Sequence, residues 1–348
     1  MKISMLLSYA GGFKDAVKEV QELEKAGLDQ IWVPEAYSFD APSAMGYLAA
    51  QTERITIASG ILPIYSRTPT LLAMTAAGID YLSDGRCMLG LGASGPQVIE
   101  GFHGVPYTQP VARIREIIEI CRQVWRRERV QHDGRHYQIP LPQNQGTGLG
   151  KALKLINHPV REEIPIAIAS LGEKSVAMTA ELADAWLPAF YTARAADAVW
   201  GDALKAGFAK RDPARPPLEI YAGGAVAIGS GLEHLRNLSR PQIALYVGGM
   251  GARQKNFYNQ IFTKSGYGDE AREIQDLYLA GDKKGAEAAI PDDYLTENSL
   301  IGEEGFVRDR LQALKESGVN ALNVGLMGQN TAERVKVCEQ LRNLVDTL

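Results

Sequence analysis

Cysteine and histidine are both scarce in this chain, and each scarcity removes a class of chemistry. The three cysteines, Cys87, Cys121 and Cys338, are odd in number, far apart and each set in an apolar periodic context. They make no disulfide framework and no zinc site, and they fit reduced core thiols in a cytosolic protein. The five histidines offer no His/Glu pair at metal-ligand spacing, no Ser/His/Asp set stands out, and no Walker loop is present. Apolar runs long enough to span a bilayer are missing too. Nor does one sign of charge prevail: 37 basic and 41 acidic residues are interspersed, with a formal net charge of −4, so there is no electrostatic reason to expect a nucleic-acid partner. The opening Met1-Lys2-Ile3-Ser4-Met5-Leu6-Leu7 carries a charge and an apolar run, but Gly11 and Gly12 cut it short. It reads as a first strand, not as a signal peptide.

What is present is a repeated strand-and-helix unit, clearest at residues 85 to 104. A short apolar run, 87 to 91, is too brief for a helix and ends in Gly92, Ala93, Ser94 and Gly95, after which Pro96 suits a first helical position. Two readings of that turn stay open. Either the backbone passes unusually close to a ligand, or this is a tight strand-to-helix turn. The same rhythm predicts strands over 3–8, 31–33, 55–59, 87–91, 164–169, 184–187, 218–228 and 320–326, with amphipathic helices between them. Asp40 and Thr68-Pro69 read as helix caps, and Gly27 and Gly318 as helix ends.

Eight strands alternating with helices predict a (β/α)8 TIM barrel, spanning 1–348 as a single domain. Two stretches break the rhythm and are expected as insertions at its C-terminal face. Residues 129–163 hold a hairpin around Asp133-Gly134, and residues 229–300 are polar and helical.

In such a barrel, function gathers at the C-terminal ends of the strands. Those ends are Glu35, Ser59-Gly60-Ile61, Ala93-Ser94-Gly95, Ala169-Ser170-Leu171-Gly172 and Pro188-Ala189-Phe190, which are mostly small, apolar and poor in titratable groups. A site lined by backbone and small side chains suits a large flat cofactor that carries its own chemistry. Ser170-Leu171-Gly172-Glu173 joins a buried strand to a helix, so its N–H groups and the helix dipole can converge on an anion. Glu173 opposes that unless it turns to solvent or caps the helix; Arg253 or Lys255 in the second insertion would be the alternative anchor. Candidate acids are few. Glu35 either protonates a substrate or bonds loop amides, and His103 is either catalytic or a loop tether. Tyr37 and Tyr107 are further possible donors.

The stretch 90 to 107, together with Ser-Asp-Gly-Arg (83 to 86), Arg-Thr-Pro (67 to 69) and Thr-Ala-Glu-Leu-Ala-Asp-Ala-Trp-Leu-Pro (179 to 188), resembles the luciferase-like family, and within it the coenzyme F420-dependent oxidoreductases. The resemblance implies a homodimeric barrel holding a deazaflavin, or alternatively FMN, at the strand C-termini. It also implies a non-prolyl cis peptide at Gly60-Ile61, against the cofactor ring. The sugar-phosphate dehydrogenases of the family use a His after the second strand and a Glu just after the Ser-Gly of the fourth. Here the second-strand loop, Pro34-Glu35-Ala36-Tyr37-Ser38-Phe39-Asp40, has no His, and Pro96 follows Ser94-Gly95. Their substrate and acid/base assignment is therefore not carried over, and reductases of pterin-like or enone-like substrates stay open. The expected activity is hydride transfer between coenzyme F420 and an organic substrate. An FMN-dependent monooxygenase and a non-catalytic cofactor-binding protein are the alternatives.

Overall fold

Eight parallel strands close on themselves in the order of the sequence. They are β1 (Lys2–Leu6), β2 (Gln30–Val33), β3 (Thr56–Ser59), β4 (Cys87–Gly92), β5 (Ile166–Ala169), β6 (Ala185–Leu187), β7 (Glu219–Ile228) and β8 (Ala321–Leu326). β8 returns to β1 with Lys2 opposite Ala321, which completes a (β/α)8 TIM barrel. The computed structural model describes residues 1–8, 12–251 and 253–348; Gly11, expected to end the first apolar run, lies outside them. No helix among the described residues is long and apolar enough to cross a membrane.

Around the strands pack α1 (Phe13–Lys25), α2 (Ala41–Gln51), α3 (Pro69–Leu82), α4 (Pro110–Trp125), α5 (Glu173–Leu182), α6 (Asp202–Phe208), α7 (Glu304–Glu316) and α8 (Thr331–Asp346). Local chemistry sets their ends. The Asp40 carboxylate accepts the Ser43 N–H at 3.1 Å and the Thr68 hydroxyl accepts that of Leu71 at 3.3 Å, each ahead of a proline in the first turn. Gly27 and Gly318, both at φ +100°, let the chain turn out of α1 and α7.

The barrel interior is filled, not hollow. Trp32, Met88 and Tyr221 fit against four alanines, Ala58, Ala167, Ala185 and Ala321. Trp32 meets Tyr221 edge-on at 5.1 Å and donates to the Ser4 hydroxyl at 2.9 Å, while the Tyr221 hydroxyl donates to Gln30 at 3.0 Å. With polar tips paired in this way, large side chains can plug the axis, leaving the mouth for function. The cysteines are free and buried, and burial pushes the thiols of Cys121 and Cys338 up to about 12.

Between 129 and 163 the backbone forms the hairpin of His132–Asp133 with Gln138–Ile139 and is otherwise mostly irregular. Glu116 on α4 holds it down by accepting the Tyr137 N–H at 2.9 Å. The segment 229–300 is helical and builds its own apolar cluster from Ile243, Val247, Phe262, Ile274 and Tyr294, among others. It ends in a strand the sequence reading did not separate, Ser299–Gly302, which pairs beside β7 with Ala225 opposite Ser299.

Candidate active site

Burial divides the strand-end residues into two groups. Gly60, Ile61, Ala93, Ser94, Gly95, Ala169, Leu171 and Gly172 are partly exposed, whereas Ser59, Ser170 and Glu35 are buried. The first group converges. The Gly60–Ile61 peptide is cis, and the Ile61 side chain leans over Gly92, where an added Cβ would lie 2.9 Å from Ile61 Cγ1 and 3.6 Å from Ala169 Cβ. The ends of β3, β4 and β5 thus share one small apolar floor. On the other side Gly60 backs onto the barrel plug, where a Cβ would come within 2.9 Å of Trp32 Cβ. Ser94 adopts φ +57° and turns the chain out of β4 into Gly95, the N-cap of the short helix Pro96–Gly101. The Tyr107 hydroxyl donates to the Ser94 carbonyl at 3.3 Å, and burial raises its pKa, so it stays a neutral donor.

Two serines expected to bind cofactor point elsewhere. Ser59 is fully buried, and its hydroxyl donates to the Gly90 carbonyl and accepts the Gly90 N–H, both at 2.8 Å. It pins β3 to β4, with its one donor spent inside the barrel wall. Ser170 shares a hydrogen bond of 2.9 Å with Thr179 inside α5, and its carbonyl accepts the Trp186 indole N–H at 2.9 Å.

Glu35 turns out to bond a loop amide. Its carboxylate accepts the Ala41 N–H at 2.7 Å and takes both ends of the Arg67 guanidinium, at 2.5 and 2.8 Å. With Glu35 at 8% exposure, both oxygens occupied and a charge partner in place, the group holds the loop after β2. Arg67 was not singled out as a functional residue. Its signal in the sequence is its place immediately before the Thr68-Pro69 cap.

His103 sits on the same rim. Phe102 packs edge-on against its ring at 5.2 Å and faces Tyr37, from the loop after β2, at 6.2 Å. Its backbone N–H donates to Val98 at 3.2 Å, whereas the buried Nε2 has no hydrogen-bond partner among the described residues.

At the start of α5, Gly172 is the N-cap and no side chain caps the helix. Glu173 does not cap it either; it pairs with Lys264 from the second insertion at 2.6 Å, and that hydrogen bond and charge hold its carboxyl below the usual range. The repulsion expected from Glu173 is therefore offset, and the first-turn N–H groups have no capping side chain. Arg253, the alternative anchor, is exposed and pairs with Asp276, and Lys255 is exposed as well. The second insertion also brings aromatic residues to this mouth, which the sequence reading missed because the contacts are long-range. Phe190, at φ +56° after β6, packs on Tyr246 at 5.8 Å and Tyr258 at 5.6 Å, and Phe257 lies beside Gly172. Among the described residues no group of His, Cys, Asp and Glu could hold a metal.

Known proteins share this architecture and much of this sequence. Residues 1–321 match the model of the luciferase-like monooxygenase family. A Mycobacterium tuberculosis protein provisionally described as a coenzyme F420-dependent oxidoreductase is 37% identical over 341 residues, 97% of either chain. The 5,10-methylenetetrahydromethanopterin reductase of Archaeoglobus fulgidus is 26% identical, covering 88% of this chain and 87% of its own. The structure of the coenzyme F420-dependent tetrahydromethanopterin reductase of Methanopyrus kandleri superposes with a TM-score of 0.79 at 18% identity, over 98% of this chain and 96% of that one, a likeness of fold. With the match running through the barrel and its mouth, the chain belongs to the luciferase-like monooxygenase family.

Proposed function

We propose that the protein is an oxidoreductase that transfers a hydride between coenzyme F420 and an organic substrate. The observation that carries this reading is the floor formed by Ile61, Gly92 and Ala169, which is flat, apolar and tight enough that a Cβ at position 92 would fill it. Such a surface fits the face of a planar tricyclic ring. It also fits FMN, and the family's monooxygenases keep that cofactor as the runner-up; the relative at 37% identity favours the deazaflavin.

The bound cofactor would supply the carbon that gives or takes the hydride. The chain's own groups do the rest. Ile61 and Ala169 orient the ring, while Ala93, Ser94 and Gly95 bring backbone to its edge. Leu171, Gly172 and the first turn of α5 hold the anionic tail, with Lys264 keeping Glu173 aside. Phe190, Tyr246 and Tyr258 exclude water from one side of the substrate space. His103, beside Phe102 on the loop after β4, is the proton donor in this reading, and Glu35 with Arg67 positions the rim. Both insertions wall the mouth of one barrel domain. The free buried thiols support a cytoplasmic setting.

Equilibrium titration with coenzyme F420 and with FMN tests the reading, followed by the absorbance change of the preferred cofactor when substrate candidates are added. Tighter binding of F420 with substrate-dependent bleaching is the expected result. Tighter FMN binding moves the monooxygenase reading ahead. Binding of F420 without turnover by any enone-like or pterin-like compound leaves a cofactor-binding protein.

A further inference from the structure

A cavity of about 350 Å³ opens beside the candidate active site, between the chain that follows β3 and the hairpin of the first insertion. Ile64, Tyr65, Arg67, Val105, Arg113 and Tyr137 are among its walls, and none of the residues lining it is acidic. The two arginines differ. Arg67 spends its charge on Glu35, in a two-pronged pair turned towards the barrel mouth.

Arg113 has no carboxylate partner among the described residues. Its Nε donates to the Thr108 carbonyl at 3.0 Å, Nη2 to the Thr108 hydroxyl at 3.3 Å and Nη1 to the Tyr137 hydroxyl at 3.4 Å. Those bonds use three of the five guanidinium N–H groups. The guanidinium also lies over the rings of Tyr65, at 5.7 Å, and Tyr137, at 5.6 Å, which fix its plane. The Tyr65 hydroxyl is committed to the Thr108 carbonyl at 2.9 Å. A guanidinium held flat by tyrosines and a carbonyl, with donors left over and no counter-charge, is arranged for an anion that arrives from outside.

The remaining walls define the rest of that ligand. Ile64 is buried, Val105 and Pro106 face it, and the tyrosine rings are flat, so the body of the occupant is apolar and planar. The volume lies at the lower end of small-molecule pockets and suits one or two fused rings. We propose that this cavity binds a small planar carboxylic acid, with its carboxylate on Arg113 and its rings between Ile64, Val105 and Tyr65. The site is separate from the apolar floor at the strand ends and does not depend on which cofactor that floor takes.

Isothermal titration calorimetry with 2-naphthoate, and with its uncharged counterpart 2-naphthamide, tests this on the full chain without added cofactor. The expected result is saturable binding of the acid, with the amide at least about tenfold weaker, the worth of a charge-assisted hydrogen bond. Arg113→Gln removes the charge and should weaken the acid by a similar factor while leaving the amide unchanged. Because Arg113 also supports its loop, Val105→Trp provides a second variant: it fills the cavity, leaves the Arg113 bonds intact and should abolish binding of both compounds. Absence of saturable 2-naphthoate binding, equal affinity for acid and amide, or unchanged affinity in a folded Arg113→Gln or Val105→Trp protein would overturn the proposal.

Discussion

Ile61 lies across Gly92 so closely that a methyl group on residue 92 would sit 2.9 Å from its Cγ1 and 3.0 Å from its Cδ1. The end of β3 therefore depends on the absence of a side chain at the end of β4. Gly92→Ala should push Ile61 off the floor, at a stability cost of about 1–2 kcal/mol from overpacking. Coenzyme F420 affinity, measured by fluorescence titration, should fall by about tenfold. Unchanged affinity would mean that the ring rests on another surface.

His103 carries the proton-transfer part of the reading. Since Nε2 has no hydrogen-bond partner among the described residues, replacing the ring breaks no bond at that nitrogen. His103→Asn should lower turnover by about a hundredfold, within the range for a lost general acid, while leaving the F420 dissociation constant and the melting temperature near those of the parent. Equal turnover in parent and variant would return the residue to a packing role.

How far the sequence was readable depends on the range of the interactions. All eight strands and the caps at Asp40 and Thr68 were legible, because apolar period and capping are decided within a few residues. Ser59 and Ser170 show the opposite case. Standing at a strand end says nothing about which neighbour the hydroxyl will meet, and theirs meet Gly90 and Thr179. Likewise Tyr246 and Tyr258 owe their place at the mouth to Phe190, over fifty residues earlier in the chain. For Glu35, which the sequence places between two roles, the bonds to Ala41 and Arg67 depend on residues outside its own strand end.

Acid sensitivity should trace in part to Glu24. Burial alone would raise its pKa, but the backbone N–H groups of Arg54, Ile55 and Glu53 outweigh it and hold the carboxyl below its ordinary 4.5. Bonds of 2.6 Å to Arg54 and 2.7 Å to Ile55 tie α1 to the start of β3. A folded-state pKa below the unfolded one contributes stability that is present above the ordinary value and lost as pH falls through the depressed one. Urea unfolding of Glu24→Gln should show a deficit of about 2 kcal/mol at neutral pH, shrinking in acid below the carboxylate range. A deficit independent of pH would assign the loss to packing.

The expected homodimer has a candidate face. α2 contains no charged residue, and the one charge on α3, Asp80, is buried against Arg161. Outward from these two helices stand Tyr47, Leu71, Met74, Tyr81 and Leu82, each exposed in the single chain. Barrel helices that face water normally carry charge there, as α1 and α7 do. We propose this face as the contact between two copies. Met74→Glu should shift the protein from dimer to monomer in analytical ultracentrifugation, because a like charge would be buried on both sides of a twofold contact. A parent that sediments as a monomer refutes the pairing, and a variant that stays dimeric moves it to another surface.

We propose that the cofactor's anionic tail lies at the turn from β5 into α5. Gly172 caps that helix without a side-chain bond, which leaves the first-turn N–H groups without a capping side chain. Lys264 binds Glu173 at 2.6 Å and offsets the one charge that would repel a phosphate. A Cβ at Gly172 would lie 3.3 Å from the ring edge of Phe257, close enough to ask for a small shift but not to disrupt the helix. Gly172→Asp therefore adds a carboxylate where the phosphate would sit, and as an N-cap residue aspartate is itself favourable to the helix. The expected outcome is a loss of F420 affinity of about tenfold or more with an apo-protein melting temperature close to that of the parent. Lys264→Ala should act in the same direction but less, because it restores the repulsion from Glu173 without adding charge. If neither variant alters F420 binding, the phosphate lies away from α5, and the exposed Lys255 becomes the residue to replace next.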